Sequence, residues 1–165
     1  MKSLEQLASE FDSLVKPVST YVTPRPTESS LQRINAHFGI SLPLDLVEFA
    51  AHSRNFGHWF ASLGDDYTST KHIIRINSYW RRRRRTRAAP RGLVIINIGF
   101  DDDLDCIDIS SLDRAAGEYA IRYWSPGVEA AGLRVYGSFR EYVEATVNYW
   151  AGGRTLAHID AKVRI

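Results

Sequence analysis

A chain of 165 residues, 44% hydrophobic and 24% charged, suits one domain, and at that size roughly two thirds of the extended surface is buried on folding. The net charge of +2 hides an asymmetry: Arg81 to Arg85, Arg87 and Arg91 put seven positive charges in a segment without an acid, so the remainder carries −5, which does not describe a general nucleic-acid-binding surface. The single cysteine, Cys106, excludes an internal disulfide and a cysteine-cluster metal site, and with no h-region and no apolar run near the roughly 20 residues of a membrane span, a cytoplasmic protein is expected.

Ser3 with Gln6 has the form of a capping box, and Leu4, Leu7, Phe11, Leu14 and Val15 follow at helical spacing, which predicts a first helix. KPVSTYVTPRP, from Lys16 to Pro26, has three prolines and no helical period, and reads as an extended connection over the surface. Ser29 or Ser30 can cap a second helix with Leu31, Ile34 and Phe38 on one stripe, ended by Gly39 in a left-handed conformation. Pro43 fits the first turn of a third helix, Asp45 and Glu48 complement its positive end, and Leu42, Leu46, Phe49 and Ala50 form its buried stripe.

FGHWFASL, from Phe56 to Leu63, alternates well enough for a short strand. Ser69 or Thr70 can open a helix in which Ile73, Ile76 and Trp80 recur at three and four residues, although the isoleucines would suit a strand equally. The arginine run follows, and Pro90 leads into Leu93 to Ile98, an almost unbroken β-branched run that reads as a strand covered on both faces inside a sheet. Asp101 to Asp103 cannot be buried together, so the chain turns there, and Leu104 to Ile109, interrupted by Asp105 and Asp108, reads as a half-covered antiparallel return strand. A third strand is expected at Tyr119 to Trp124, closed by a turn at Ser125, Pro126 and Gly127. Ser138 and Glu141 form a second capping box, and Phe139, Tyr142, Val143, Thr146, Val147 and Trp150 trace one face of a closing helix that ends at Gly152 and Gly153. The alternation of Ile159, Ala161, Val163 and Ile165 with Asp160, Lys162 and Arg164 predicts a terminal strand at a sheet edge.

The order of these signals carries a resemblance. An LP-initiated helix (SLPLDLVEFAAHS), an aromatic strand (GHWFASL), a segment through Pro90 into an apolar strand, an acidic turn before a return strand (GFDDDLDCIDI), a strand ending in tryptophan (YAIRYW) and a closing helix opened by SF (SFREYVEATVNYW) resemble the SUKH superfamily, the group with the yeast Smi/Knr cell-wall regulators and many bacterial immunity proteins. The resemblance spans about Leu31 to Trp150. It implies an α+β domain with a mostly antiparallel sheet flanked by helices, without enzymatic activity and without cofactors. Bacterial members look like partners that bind and neutralise a cognate toxin, often a nuclease or deaminase. On this reading residues 1–165 form a single domain, with the first helix and proline connector in 1–30 and a strand extension in 154–165. The Arg81 to Arg87 run and the terminal HIDAKVRI are not part of the pattern.

Two charged stretches are candidates for partner contact. Asp101, Asp102, Asp103 and Asp105 have the alternate-oxygen spacing of a calcium loop, but Cys106 stands where that loop needs glycine and Leu112 where it needs a bidentate glutamate. They read either as a solvated hairpin tip or as an acidic surface that speeds association with a basic partner. The run RRRRRTR repels itself on a helix and on a strand, so an extended, solvated loop is expected, and Arg82 and Arg84 are candidates for pairing with a partner's carboxylates. Tyr79 and Trp80 beside it could stack on bases, which keeps a nucleic-acid-binding module as an alternative. Trp59 and Trp80 lie near turns and are candidates for interface anchors or for core packing, whereas Trp124 and Trp150 are expected in the core.

His37, His52, His58, His72 and His158 show no metal-ligand spacing, no GxSxG, Walker loop or dinucleotide fingerprint occurs, and Cys106 in an apolar strand reads as a packed thiol. The function that the resemblance implies is that of an immunity protein, expected to occlude a nuclease or other nucleic-acid-targeting toxin stoichiometrically. The alternatives are a regulatory scaffold of the same fold and the nucleic-acid-binding module.

Overall fold

The computed structural model describes residues 1–14, 26–56, 70–82, 88–98, 104–125 and 134–152. Helix α1 (Leu4–Leu14) opens on the predicted capping box in both directions: the Ser3 N–H donates to Gln6 Oε1 at 2.9 Å, and the Gln6 N–H to Ser3 Oγ at 3.2 Å. Helix α2 (Glu28–Phe38) starts earlier than expected. Thr27 is its N-cap, accepting from the Ser30 N–H at 3.2 Å, and Ser30 lies inside the first turn, its hydroxyl donating to the Thr27 carbonyl. Gly39 ends α2 at φ 66°, as expected, and Asn35 holds the corner that follows: its carbonyl accepts from the Ile40 N–H and its side-chain oxygen from the Leu42 N–H.

Helix α3 (Leu44–His52) buries the predicted Leu46, Phe49 and Ala50, with Leu42 packed just before it. Pro43 is not in its first turn but is its N-cap, and having no polar side chain it leaves the first N–H groups to a partner from elsewhere in the chain. Helix α4 (Thr70–Arg82) resolves the helix-or-strand ambiguity in favour of helix. It also continues through Arg81 and Arg82, so the arginine run begins on a helix rather than in a solvated loop. Arg81 is stabilised there because its Nη2 donates to the carbonyls of Arg91 and Leu93, each at 3.2 Å, and its guanidinium lies 5.6 Å from the Phe38 ring centroid.

Strands β1 (Leu93–Ile98), β2 (Leu104–Asp108), β3 (Ile121–Trp124) and β4 (Arg134–Tyr136) form an antiparallel meander in the order β1-β2-β3-β4. A single turn of 3-10 helix, Ile109–Ser111, follows β2. The fold is thus α+β with an antiparallel sheet flanked by helices, as expected, although β4 was not foreseen. Helix α5 (Phe139–Ala151) closes the described part of the chain. Ser138 Oγ caps the Glu141 N–H at 3.2 Å, but the reciprocal arm of the predicted box reaches one residue further back, Glu141 Oε2 accepting from the Gly137 N–H at 2.6 Å. The connector 16–25, the expected strand beyond Phe56, the turn after Ser125 and the terminal strand lie outside the described residues.

The sheet carries helices on both faces. Val94, Ile96, Ile107 and Ile121 join Leu4, Leu7, Phe11, Phe49, Phe139, Tyr142 and Val143 in the main core, so α1 completes the same core as α3 and α5. Leu93, Ile95, Leu104, Cys106 and Trp124 form a second cluster with Trp80 of α4. The β2 aspartates, read as marks of a half-covered strand, are instead absorbed: Asp105 is part-buried and Asp108 is 4% exposed.

β1 was expected inside the sheet and is an edge strand among the described residues. It is buried because α4 stands in for a neighbouring strand. Asn77, 1% exposed, accepts from the Ile95 N–H at 2.9 Å and donates to the Ile95 carbonyl at 3.2 Å, and Arg81 takes the Leu93 carbonyl. The carboxamide presents one N–H and its oxygen to the edge, gives its second N–H to the Ile73 carbonyl of its own helix at 3.0 Å, and leaves nothing to extend the sheet. Asn77→Ala should therefore cost roughly 1–3 kcal/mol by orphaning the Ile95 groups. Urea denaturation would check it, and the Ile95 amide should exchange with solvent faster in the variant; unchanged exchange would contradict this role.

Candidate partner-binding surface

Most described carboxylates of the interior hold backbone in place. Asp12 on α1 accepts from Ser53 Oγ at 2.7 Å, the Arg54 N–H at 2.6 Å and the Asn55 N–H at 3.0 Å, fastening the turn after α3. Glu118, 8% exposed, accepts from the Asp45 N–H at 2.8 Å and the Phe139 N–H at 3.4 Å, so one carboxylate caps the N-termini of both α3 and α5. It is the partner that Pro43 could not supply. The preceding Gly117 has φ 68°, and a Cβ there would stand 3.0 Å from Leu44 Cδ1, so the turn that aims Glu118 requires glycine.

Asp108 accepts from Ser110 Oγ at 2.6 Å, the Ser110 N–H at 3.0 Å and Arg122 Nε at 2.5 Å. Burial pushes its carboxyl up, but the Ser110 hydroxyl, the Arg122 guanidinium and the Ser110 N–H together hold it below the ordinary carboxylate value. A lowered folded-state pKa contributes stability above the unfolded value and loses it as pH falls through the folded one. Asp108→Asn should therefore cost about 1–2 kcal/mol at neutral pH, and the gap to the unaltered chain should close on acidification below the ordinary aspartate range. Thermal midpoints across pH would check this, and a gap independent of pH would contradict it.

The sequence candidates for partner contact separate in the structure. Asp101, Asp102, Asp103, Trp59 and Arg84 lie outside the described residues. Asp105 is not part of an exposed tip. It sits on β2 opposite Tyr123 and accepts from Tyr142 Oη at 2.7 Å and Asn97 Nδ2 at 3.0 Å, joining the sheet to α5. A bulge between Ile95 and Asn97 in the β1 pairing brings Asn97 opposite it. Trp80, offered as an interface anchor, is 3% exposed and packs edge-on against Trp124 at 6.0 Å, because it falls on the inward stripe of α4. Arg82 is exposed. Asp105 faces the main core and Trp80 the second cluster, so these two described candidates do not share a surface.

What Arg82 does share is the outward stripe of α4. Arg75, Ser78, Tyr79 and Arg82, at i, i+3, i+4 and i+7, line one shallow concavity of about 300 Å3, and Tyr79 is 55% exposed. Neither Arg75 nor Arg82 has an ion-pair partner among the described residues. The helix beneath is fixed by Asn77, Trp80 and Arg81, so the stripe is presented rigidly. Sequence reasoning passed over Arg75; its spacing from Tyr79 and Arg82 was the available signal. Cys106, 0% exposed, carries a thiol pushed well up by burial and by Asp105, and is a packed side chain as expected.

The sequence profile of the SMI1/KNR4 family, SUKH-1, matches residues 25–145, which is most of the chain and runs from just before α2 into α5. The chain belongs to that family. Helix α1 precedes the matched SUKH-1 region yet supplies Leu4, Leu7 and Phe11 to its core. No curated protein matches the chain. Among the described residues no helix is long and apolar enough to cross a membrane, and no cluster of three or more metal-ligating side chains occurs.

Proposed function

We propose that this SUKH-1 chain is an immunity protein, which binds a cognate bacterial toxin in the cytoplasm and neutralises it by occupying its working surface, without catalysis of its own. The toxin is one that acts on nucleic acid, a nuclease or deaminase. Family membership supports the reading, and the observation that carries it is the rigid outward stripe of α4, with an exposed tyrosine between two arginines. Tyrosine and arginine are the residue types over-represented at the energetic centres of protein interfaces, and a helix locked to a sheet loses little entropy on binding. Outside the arginine segment the chain is acidic, which suits a toxin surface made basic to handle nucleic acid.

The test is co-expression with the product of an adjoining toxin gene. Survival of the cells and recovery of a one-to-one complex are expected. Killing that is undiminished by co-expression, with no complex recovered, would refute the proposal.

A further inference from the structure

The geometry points to an acidic polypeptide surface as the occupant of the α4 stripe: a partner that brings carboxylates to Arg75 and Arg82 and seats a side chain against Tyr79. This deepens the proposed function and rests on it for the identity of the partner. Arg75 and Arg82 are seven residues apart, about 10 Å along the helix axis, and Tyr79 stands between them over the concavity. From residue 67 to residue 92 the sequence holds nine lysines and arginines and no acid, so α4 lies within the most positive part of the chain. A guanidinium pairs bidentately with a carboxylate, and a tyrosine between two such pairs supplies the apolar contact that excludes water from them.

Nucleic acid would meet the same cations, but the chain outside this segment carries net −7 and repels a long polyphosphate, whereas a compact acidic patch on a folded partner meets α4 alone. A toxin that holds a divalent metal for phosphodiester cleavage has such a patch, because hard cations are held by carboxylates.

The experiment needs no toxin and can fail independently of the proposed function. Fluorescence anisotropy would follow the purified chain binding a labelled short glutamate peptide, compact enough to meet α4 alone, and a labelled long single-stranded DNA at low salt. Tighter binding to the glutamate peptide is expected, weakened about tenfold or more by Arg75→Glu combined with Arg82→Glu and severalfold by Tyr79→Ala, while Arg83, Arg84 and Arg85 changed together to serine weaken it less. Circular dichroism should match for all variants, since the α4 residues altered are exposed. Tighter binding to DNA, binding insensitive to Arg75 and Arg82, or no binding to the glutamate peptide would overturn the inference. Failure to recover a toxin complex would bear on the proposed function and leave this result standing.

Discussion

Phe139→Ala is expected to destabilise the protein by about 3–5 kcal/mol, a large part of the roughly 5–15 kcal/mol that holds a domain of this kind together. Phe139 is fully buried at the first position of α5, its ring 5.9 Å from that of Phe49 on α3 and 5.9 Å from that of Tyr142 one turn on. Removing it opens a cavity where α3, α5 and the sheet meet, and a close-packed interior relaxes only partly into such a space. Urea denaturation measures the loss. Because the cavity is internal, the far-UV spectrum of the folded variant should be unchanged, and a cost below about 1 kcal/mol would mean that the ring is not packed as described.

Glu118→Ala should cost about 2–4 kcal/mol, which is unusual for a side chain in a turn. Its carboxylate takes N–H groups from the first turns of α3 and α5, where each helix end carries partial positive charge, and alanine leaves both ends without that partner. Burial, with a smaller addition from Asp45, raises the Glu118 carboxyl above its ordinary value, and the backbone donors at Asp45 and Phe139 offset this only in part. Glu118→Gln, which keeps one acceptor oxygen and removes a buried charge, should lose markedly less than Glu118→Ala. Equal losses in the two variants would show that neither the oxygen nor the volume that glutamine keeps contributes, and would contradict the capping role. Phe139 and Glu118 share the α5 N-terminus, so the double variant should lose less than the sum of the single ones.

The contrast between these two residues marks what the sequence could disclose. Phe139 belongs to a local pattern, S-F with apolar residues at helical spacing, and such patterns are readable because the partners lie within a few turns: Ser3 with Gln6, Gly39 after α2, the β-branched run of β1. Glu118 caps Asp45 from 73 residues away, and no local spacing announces it. Asn77 was hidden for a related reason, since a polar residue on an otherwise apolar stripe becomes meaningful only once Ile95 is known to lie opposite. Asp105 and Asp108 looked like marks of solvent exposure, because an aspartate in a strand usually is one, yet Tyr142 and Arg122 receive them inside the fold. β4, three residues long, has too few positions to show an alternation. Of the candidate site, Arg82 was named from the sequence, Trp80, offered either as an interface anchor or as core, packs in the core with the inward stripe, and Arg75 emerged only when the helix gave it neighbours.

In the SUKH-1 domain, carboxylates fix the ends of helices and turns and a carboxamide closes the sheet edge, while Arg75 and Arg82 of α4 face outward. That division suits a protein whose task is to keep one surface in a fixed shape. The most direct measurement of the proposed function is titration, with the purified chain, of the activity of a toxin encoded beside it. The account predicts a linear fall to zero at one equivalent, with the chain recovered intact and still bound; toxin activity that persists at a large excess of the chain, or falls catalytically at a small fraction of an equivalent, would contradict it.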